Sequence, residues 1–198
     1  MEPTWGKTLV IANPAAQSGR GREGAIEVER ALKAGEAPVA SWEMRLTTRR
    51  GEATEIAAQA SEYDTVLVLG GDGVIHEAVN GLMRLNESAR PRLGVLPLGS
   101  GNDFARTLGV VSRNKPADAL RELASSGTER TFDLGFVSSD AEPAGTWFMQ
   151  TLSFGLDAAI ALGSMETRKD SGAHGTRLFG ALGLDVFAHN RDPFPYTA

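Results

Sequence analysis

Residues 65–81 have the sequence TVLVLGGDGVIHEAVNG, and this stretch decides the fold class. The apolar run at 65–69 is typical of a strand that is buried on both faces, and the glycine-rich turn at 70–73 leads into a helix predicted over 74–85. A strand followed directly by a turn and a helix is half of a β-α-β unit, whose strands lie parallel. The stretch therefore predicts a parallel sheet with loops at the carboxyl ends of its strands, where open α/β sheets bind ligands.

The same alternation surrounds this stretch. Apolar runs predict further strands at 7–12, 39–46 and 93–97, and helical spacing predicts helices at 24–34, 51–61 and from 103 to 108. The small, basic residues 15–22 are predicted to form a loop. Strands that alternate with helices predict an α/β domain with a doubly wound, mostly parallel sheet and helices on both faces.

The aromatic content of the chain changes near residue 131, with four aromatic residues before it and nine after it. Two strands and a helix with one apolar side are predicted in the later part, at 130–137, 146–154 and 176–189. We therefore predict an α/β domain over 1–130 and an incomplete β-rich domain over 131–198. The last residues, RDPFPYTA, are typical of the approach to another strand, so we expect the chain to be a fragment.

Composition excludes several classes of protein. The 198 residues carry a formal net charge of −5, which argues against a nucleic-acid partner, because such partners require basic surfaces. The absence of cysteine excludes disulfides, thiolate metal sites and a cysteine nucleophile. No signal sequence and no run of about 18 apolar residues is present, so we expect a cytoplasmic protein and leave peripheral membrane contact open.

The Gly-Gly-Asp-Gly turn at 70–73 carries the strongest functional signal. Glycines let backbone N–H groups approach phosphate oxygens, and the amino terminus of the following helix favours negative charge. Asp72 would repel phosphates unless a divalent cation lay between them, so it predicts Mg²⁺. The alternative is a tight turn without a ligand.

Three more strand ends carry polar or flexible residues. After the predicted strand at 93–97, Ser100 offers a hydroxyl, Asn102 an amide and Asp103 a carboxylate, which either bind a ligand or cap the helix. After the first strand comes NPAAQSGRGR at 13–22, whose arginines either clamp phosphate or are solvated. At the end of the second predicted strand come Thr47 and Thr48, followed by Gly51-Glu52-Ala53. Four such loops predict one nucleotide-phosphate site, although neither the dinucleotide fingerprint nor a P-loop is present.

Taken in order, these motifs resemble the diacylglycerol kinase catalytic domain and its relatives, the bacterial lipid kinases and sphingosine kinases. The resemblance implies a nucleotide-binding α/β domain followed by a β-sandwich domain, and ATP-dependent phosphorylation of a lipid hydroxyl such as that of diacylglycerol, in phospholipid metabolism. The residues that match the family's ATP-binding positions are Asn13, Pro14, Ala15, Ala16, Gln17, Thr47, Gly70, Gly71, Asp72, Gly73, Val74, Glu77, Ser100, Asn102 and Asp103, with Mg²⁺ at Asp72. Glu77 also suits the helix dipole, as an alternative to ligand contact.

The chain departs from the family pattern in two ways. Val74 stands where most members have threonine, so one hydroxyl is absent, although sphingosine kinases also have an aliphatic residue there. The resemblance implies that the general base and the structural magnesium ligands lie in a carboxyl-terminal segment, which we expect this chain to lack. Two alternatives stay open: a kinase of a soluble substrate, similar to NAD kinase or phosphofructokinase, and a catalytically incomplete nucleotide-binding fragment.

The helix at 176–189 is predicted to pack into a core, with a membrane interface as its alternative.

Overall fold

A computed structural model describes residues 5–153 and residue 158. Met1–Gln150 form one compact unit and Thr151–Ala198 a second. The predicted helix at 176–189 lies outside the described residues. The domain boundary placed at residue 131 stays a prediction.

The first unit is built on a four-stranded parallel sheet, as the sequence predicts. Its strands are β1 (Gly6–Ala12), β2 (Val39–Leu46), β3 (Thr65–Gly70) and β4 (Arg92–Pro97), in the spatial order β2-β1-β3-β4. Every residue of β3 is buried, and so are the last five residues of β1. Such continuous burial is expected of central strands that helices cover on both faces.

Five helices accompany the sheet: α1 (Arg20–Lys33), α2 (Glu52–Ala57), α3 (Asp72–Leu82), α4 (Asp103–Thr107) and α5 (Pro116–Ser126). Helices α2 and α3 pack together, and α1 packs against α5. The first contact needs a glycine, since a Cβ on Gly81 of α3 would collide with the carbonyl of Thr54 in α2. The second contact is also close, because a Cβ on Gly24 of α1 would lie 2.9 Å from the ring of Pro116.

A short antiparallel hairpin, β5 (Gly135–Val137) and β6 (Thr146–Phe148), follows the helices. The side-chain amide of Asn80 attaches it to α3. Asn80 Oδ1 accepts the Trp147 amide at 2.8 Å, and Asn80 Nδ2 donates to the Trp147 carbonyl at 3.0 Å. The Asn80 amide thus takes the place of a neighbouring strand's peptide group and fixes the hairpin beside the helix.

The structure corrects parts of the prediction. Residues 15–22 are not a loop throughout, because α1 begins at Arg20. Before it the chain turns, with positive φ angles of 46° at Gln17 and 58° at Ser18. The early start depends on Gly21, where a Cβ would collide with the Asn13 carbonyl. Helix α2 is shorter than the predicted 51–61, and α5 was missed, although its proline at the first helical position is a typical start signal.

Candidate functional site

The four predicted loops meet at one edge of the sheet. In the strand register Ala12 lies opposite both Leu46 and Leu69, and Gly70 lies opposite Pro97. The segments that follow these residues are the motifs beginning at Asn13, Thr47, Gly71 and Leu98. The sequence therefore placed its candidate residues at a common edge, and the register confirms that placement.

Between β1 and β3, successive strands are added to the sheet in opposite directions, although the strands themselves are parallel. The chain runs from β1 outward to β2, then returns to β3 on the other side of β1. Parallel sheets bind ligands in the crevice outside such a switch point. Here the switch point lies where Asn13 donates its amide to the Leu69 carbonyl at 3.0 Å, next to Gly70.

The turn between β3 and α3 leaves its backbone donors unused. Within the described residues, the amides of Gly71, Asp72 and Gly73 donate no hydrogen bond. The side chain of Asp72 is partly engaged, because its Oδ1 accepts the Phe104 amide at 3.1 Å. Asp72 therefore ties the start of α3 to the start of α4 and keeps Oδ2 for another partner.

In the loop between β4 and α4, side chains occupy the carbonyls of Gly99 and Gly101. The Gly99 carbonyl accepts bonds from Gln17 Nε2 at 2.9 Å and Asn102 Nδ2 at 3.0 Å. The Gly101 carbonyl accepts Arg106 Nη2 at 2.9 Å. The amides of Ser100 and Gly101 donate to no described residue, so the loop turns unused donors outward.

The two glycine loops touch each other through their backbones. A Cβ on Gly99 would lie 2.5 Å from the Cα of Gly71 and 2.7 Å from Asn102 Oδ1. Real Cβ atoms essentially never approach other atoms below 3.0 Å. Only glycine at position 99 therefore permits the present separation of the loops.

The loop after β1 forms the third side of the site. Asn13 Oδ1 accepts the Ala15 amide at 2.9 Å and so closes the turn that contains Pro14. Ala15 is exposed and Ala16 is buried beneath it. Gln17 Nε2 donates to the Gly99 carbonyl and so joins this loop to the β4–α4 loop, while Gln17 Oε1 accepts Arg20 Nη1 at 2.8 Å. The contact of Gln17 with ATP stays a prediction.

Several candidate residues turn towards the protein. Thr47 is 7% exposed, and its hydroxyl lies 3.5 Å from the Ala12 carbonyl. Val74 is also 7% exposed and packs against Gly70. Both residues lie at the predicted edge, and their contact with ATP stays a prediction. Glu77 is half-buried, and its carboxylate has no hydrogen bond with a described residue.

Exposed acids support the loops around the site. The Glu52 carboxylate accepts the Thr48 amide and hydroxyl and the Arg49 amide. The Thr48 amide in particular holds the pKa of Glu52 below its ordinary value. Asp103 Oδ1 forms an ion pair with Arg106 at 2.8 Å, so the positive charge of Arg106 offsets the negative charge of Asp103 at the start of α4.

Asp72 and Asp103 give the site an oxygen donor set that suits Mg²⁺. The Oδ2 atoms of both residues lie 3.0 Å from the position that a Cβ on Gly101 would occupy, so the carboxylates flank the same glycine. Among the described residues, no group of three or more metal-ligating side chains occurs. A pair of carboxylates fits Mg²⁺, which usually keeps several waters and takes phosphate oxygens as further ligands.

Sequence reasoning missed Asn114, which supports the β4–α4 loop, and Glu122, which supports the turn before α5. Asn114 Oδ1 accepts the Gly99 amide at 3.1 Å, and Glu122 accepts the amides of Val111 and Ser112 at 2.8 Å each. Both residues lie outside the glycine motifs in sequence. A polar residue shortly before Pro116 was the available signal, since it marks a helix start.

Glu122 gives the fold a testable pH dependence. Burial raises the pKa of the Glu122 carboxyl, but the Val111 and Ser112 amides outweigh burial and leave the pKa below its ordinary value of 4.5. A lowered pKa means that the stabilisation is complete above pH 4.5 and is lost as the pH falls through the folded-state value. We expect Glu122→Gln to lower the free energy of unfolding by about 1 kcal/mol at pH 7.

Urea unfolding of the wild type and Glu122→Gln between pH 7 and pH 3.5 checks this expectation. The difference between the two proteins should shrink as the wild-type carboxyl is protonated, because the protonated acid and the amide then resemble each other. A difference that stays constant over the whole range contradicts the assignment.

Comparison with known proteins adds the family. The sequence pattern of the diacylglycerol kinase catalytic domain matches residues 7–137, from β1 to the end of β5. The chain belongs to this family. A crystal structure of a diacylglycerol kinase from Bacillus anthracis str. Sterne shares 32% identity and a TM-score of 0.51, over 61% of this chain and 39% of that one.

Curated relatives give the same family at higher identity. The "Probable lipid kinase YegS-like" protein of Chromohalobacter salexigens is 40% identical over 119 residues, which is 59% of this chain and 35% of the relative. The "Diacylglycerol kinase" of Bacillus subtilis is 44% identical over 96 residues, or 46% of this chain and 30% of the relative. The matched stretches thus span about a third of these relatives.

In the described part of the chain, no helix is long and apolar enough to cross a membrane.

Proposed function

We propose that this chain forms the nucleotide-binding half of an ATP-dependent lipid kinase, which transfers the γ-phosphate of ATP to a hydroxyl of a lipid such as diacylglycerol. The direction of the loop amides carries the proposal. Amides at 71–73 and 100–101 are unused, while side chains occupy the carbonyls of Gly99 and Gly101. Such a set of donors suits an anion with several oxygens.

Phosphoryl transfer asks a protein mainly to position its reactants and to stabilise charge. The amides of Gly71 and Gly73 would bind phosphate oxygens from one side, and those of Ser100 and Gly101 from the other. Asp72 and Asp103 would hold Mg²⁺, which when bound neutralises phosphate charge. Family membership supports the lipid acceptor, and the general base is expected outside residues 5–153, as the resemblance implies.

Titration calorimetry with ATP in the presence and absence of Mg²⁺ tests the nucleotide half. We expect saturable binding of Mg-ATP, and weaker binding of AMP, which lacks the β- and γ-phosphates. A folded chain that binds none of these nucleotides would overturn the proposal.

Phosphate transfer from radiolabelled ATP to mixed vesicles tests the lipid half. Vesicles that contain diacylglycerol are compared with vesicles that contain triacylglycerol, which has no free hydroxyl. Because the general base is expected outside residues 5–153, the assay uses a protein that joins this chain to the segment with that base, and we expect label only in the first set. Transfer to NAD or to a sugar phosphate, with no label in lipid, would instead favour a kinase of a soluble substrate.

A further inference from the structure

The β4–α4 loop is held in shape from outside its own motif. Asn114, at the turn before α5, donates its amide to the Pro97 carbonyl at 2.9 Å. Its side-chain Oδ1 accepts the Gly99 amide and Asn102 Nδ2, both at 3.1 Å. One residue therefore contacts the beginning, the middle and the end of the loop.

The loop needs such support because its backbone is unfavourable by itself. Asn102 has a φ of +53°, which few residues other than glycine adopt, and it is only 2% exposed. Its Oδ1 is buried without a hydrogen-bond donor among the described residues, and such an unsatisfied group is destabilising. A conformation of this kind persists only where the surrounding contacts enforce it.

The contact with Asn114 determines which way the loop's donors face. Both peptide groups that flank Gly99 are held, since the Gly99 N–H donates to Asn114 and the Gly99 carbonyl accepts bonds from Gln17 and Asn102. Without the Asn114 oxygen, the buried Gly99 amide loses its acceptor and Asn102 loses one of its two. The peptide group between Leu98 and Gly99 then has no bond through its N–H, and Asn102 Nδ2 keeps only the Gly99 carbonyl as acceptor. The turn that directs the Ser100 and Gly101 amides is therefore held by fewer contacts.

We propose that Asn114 is a positioning residue of the nucleotide site, which acts through Gly99 and Asn102 to keep the Ser100 and Gly101 amides directed at phosphate. The proposal rests on the proposed binding of ATP. It also explains the residue type. Asn114 has a φ of +63°, which asparagine, aspartate and glycine tolerate, and of these only the first two carry an acceptor oxygen.

This backbone requirement supplies a sharp set of variants. Asn114→Gly keeps the positive φ and removes the acceptor, whereas Asn114→Asp keeps both. Asn114 Nδ2 donates to no described residue, so aspartate loses no bond there. Asn86→Gly is the matched control, because Asn86 is exposed, has no side-chain hydrogen bond with a described residue and lies in a different loop.

Two readouts separate positioning from ATP binding. The first is hydrogen exchange of the Gly99 amide, followed by NMR in the unliganded protein. The second is the dissociation constant of Mg-ATP from calorimetry. We expect Asn114→Gly to lose Gly99 protection and about tenfold in affinity, the effect of about 1.4 kcal/mol. Asn114→Asp should keep the protection and stay within about threefold of the wild type, as should Asn86→Gly.

Each outcome has a distinct meaning. Unchanged Mg-ATP affinity in folded Asn114→Gly overturns the positioning role and leaves the proposed function standing. A Gly99 amide that exchanges in the wild type as fast as an unprotected amide also overturns it, even if Asn114→Gly does not fold. A wild type that protects Gly99 but binds no nucleotide overturns the proposed function, and the role of Asn114 in it.

Discussion

Gly99→Ala is expected to weaken Mg-ATP binding by at least about a hundredfold. The added methyl would lie 2.5 Å from the Cα of Gly71 and 2.7 Å from Asn102 Oδ1, and neither group belongs to a flexible side-chain end. The loops must therefore separate by several tenths of an ångström or more. Since catalytic and binding groups act at separations set within about 0.5 Å, donors on both loops can no longer bind one phosphate chain together.

A second glycine provides the control for this variant. Gly35 has a φ of +75° and no atom within 4 Å of its ideal Cβ, so Gly35→Ala adds the same methyl with backbone strain and without a collision. We expect Gly35→Ala to lower the free energy of unfolding by about 1 kcal/mol and to leave Mg-ATP affinity unchanged. Calorimetry and urea unfolding of both variants give the two quantities. If Gly99→Ala binds Mg-ATP as the wild type does, the loop contact has no part in the site.

The sequence could predict the sheet and its functional edge because both depend on local patterns. The run TVLVL is buried at every position, and a tight turn must follow a strand whose end carries consecutive glycines. Parallel pairing then brings strand ends to one edge without further information. The predictions of a parallel α/β core and of its family are accordingly confirmed.

What the sequence could not supply was the direction of side chains within that edge. Gln17, for example, bonds to Gly99, which lies 82 residues away in the chain. Asn80 bonds to Trp147 across 67 residues, in a helix whose spacing predicts only which side is apolar. Contacts of this range arise when elements pack, so patterns within one element carry no signal for them. Asn114 was missed for the same reason. Its partners, Gly99 and Asn102, belong to a glycine motif that can be recognised in the sequence without Asn114.

Asp72→Asn is expected to show the second large effect, a loss of about a hundredfold in Mg-ATP affinity. The asparagine oxygen can still accept the Phe104 amide, so the link between α3 and α4 is kept and thermal stability should be unchanged. The change removes the negative charge that attracts a divalent cation. ATP without metal should bind the variant at least as well as it binds the wild type, because the repulsion between Asp72 and the phosphates is gone.

Weaker binding of Mg-ATP together with undiminished binding of metal-free ATP distinguishes a cation ligand from a residue that only caps a helix. Asp72→Ala removes both the charge and the bond to Phe104, so it should lose Mg-ATP affinity and also thermal stability, since a helix cap contributes about 1 kcal/mol. Asp140→Asn, an equal change of charge in an exposed loop, should alter neither property. Titration calorimetry with ATP, with and without Mg²⁺, gives the affinities of the wild type and the three variants. Thermal unfolding gives their stabilities. If Asp72→Asn retains full Mg-ATP affinity while Asp72→Ala loses it together with stability, Asp72 only caps α4, and the cation must be held elsewhere.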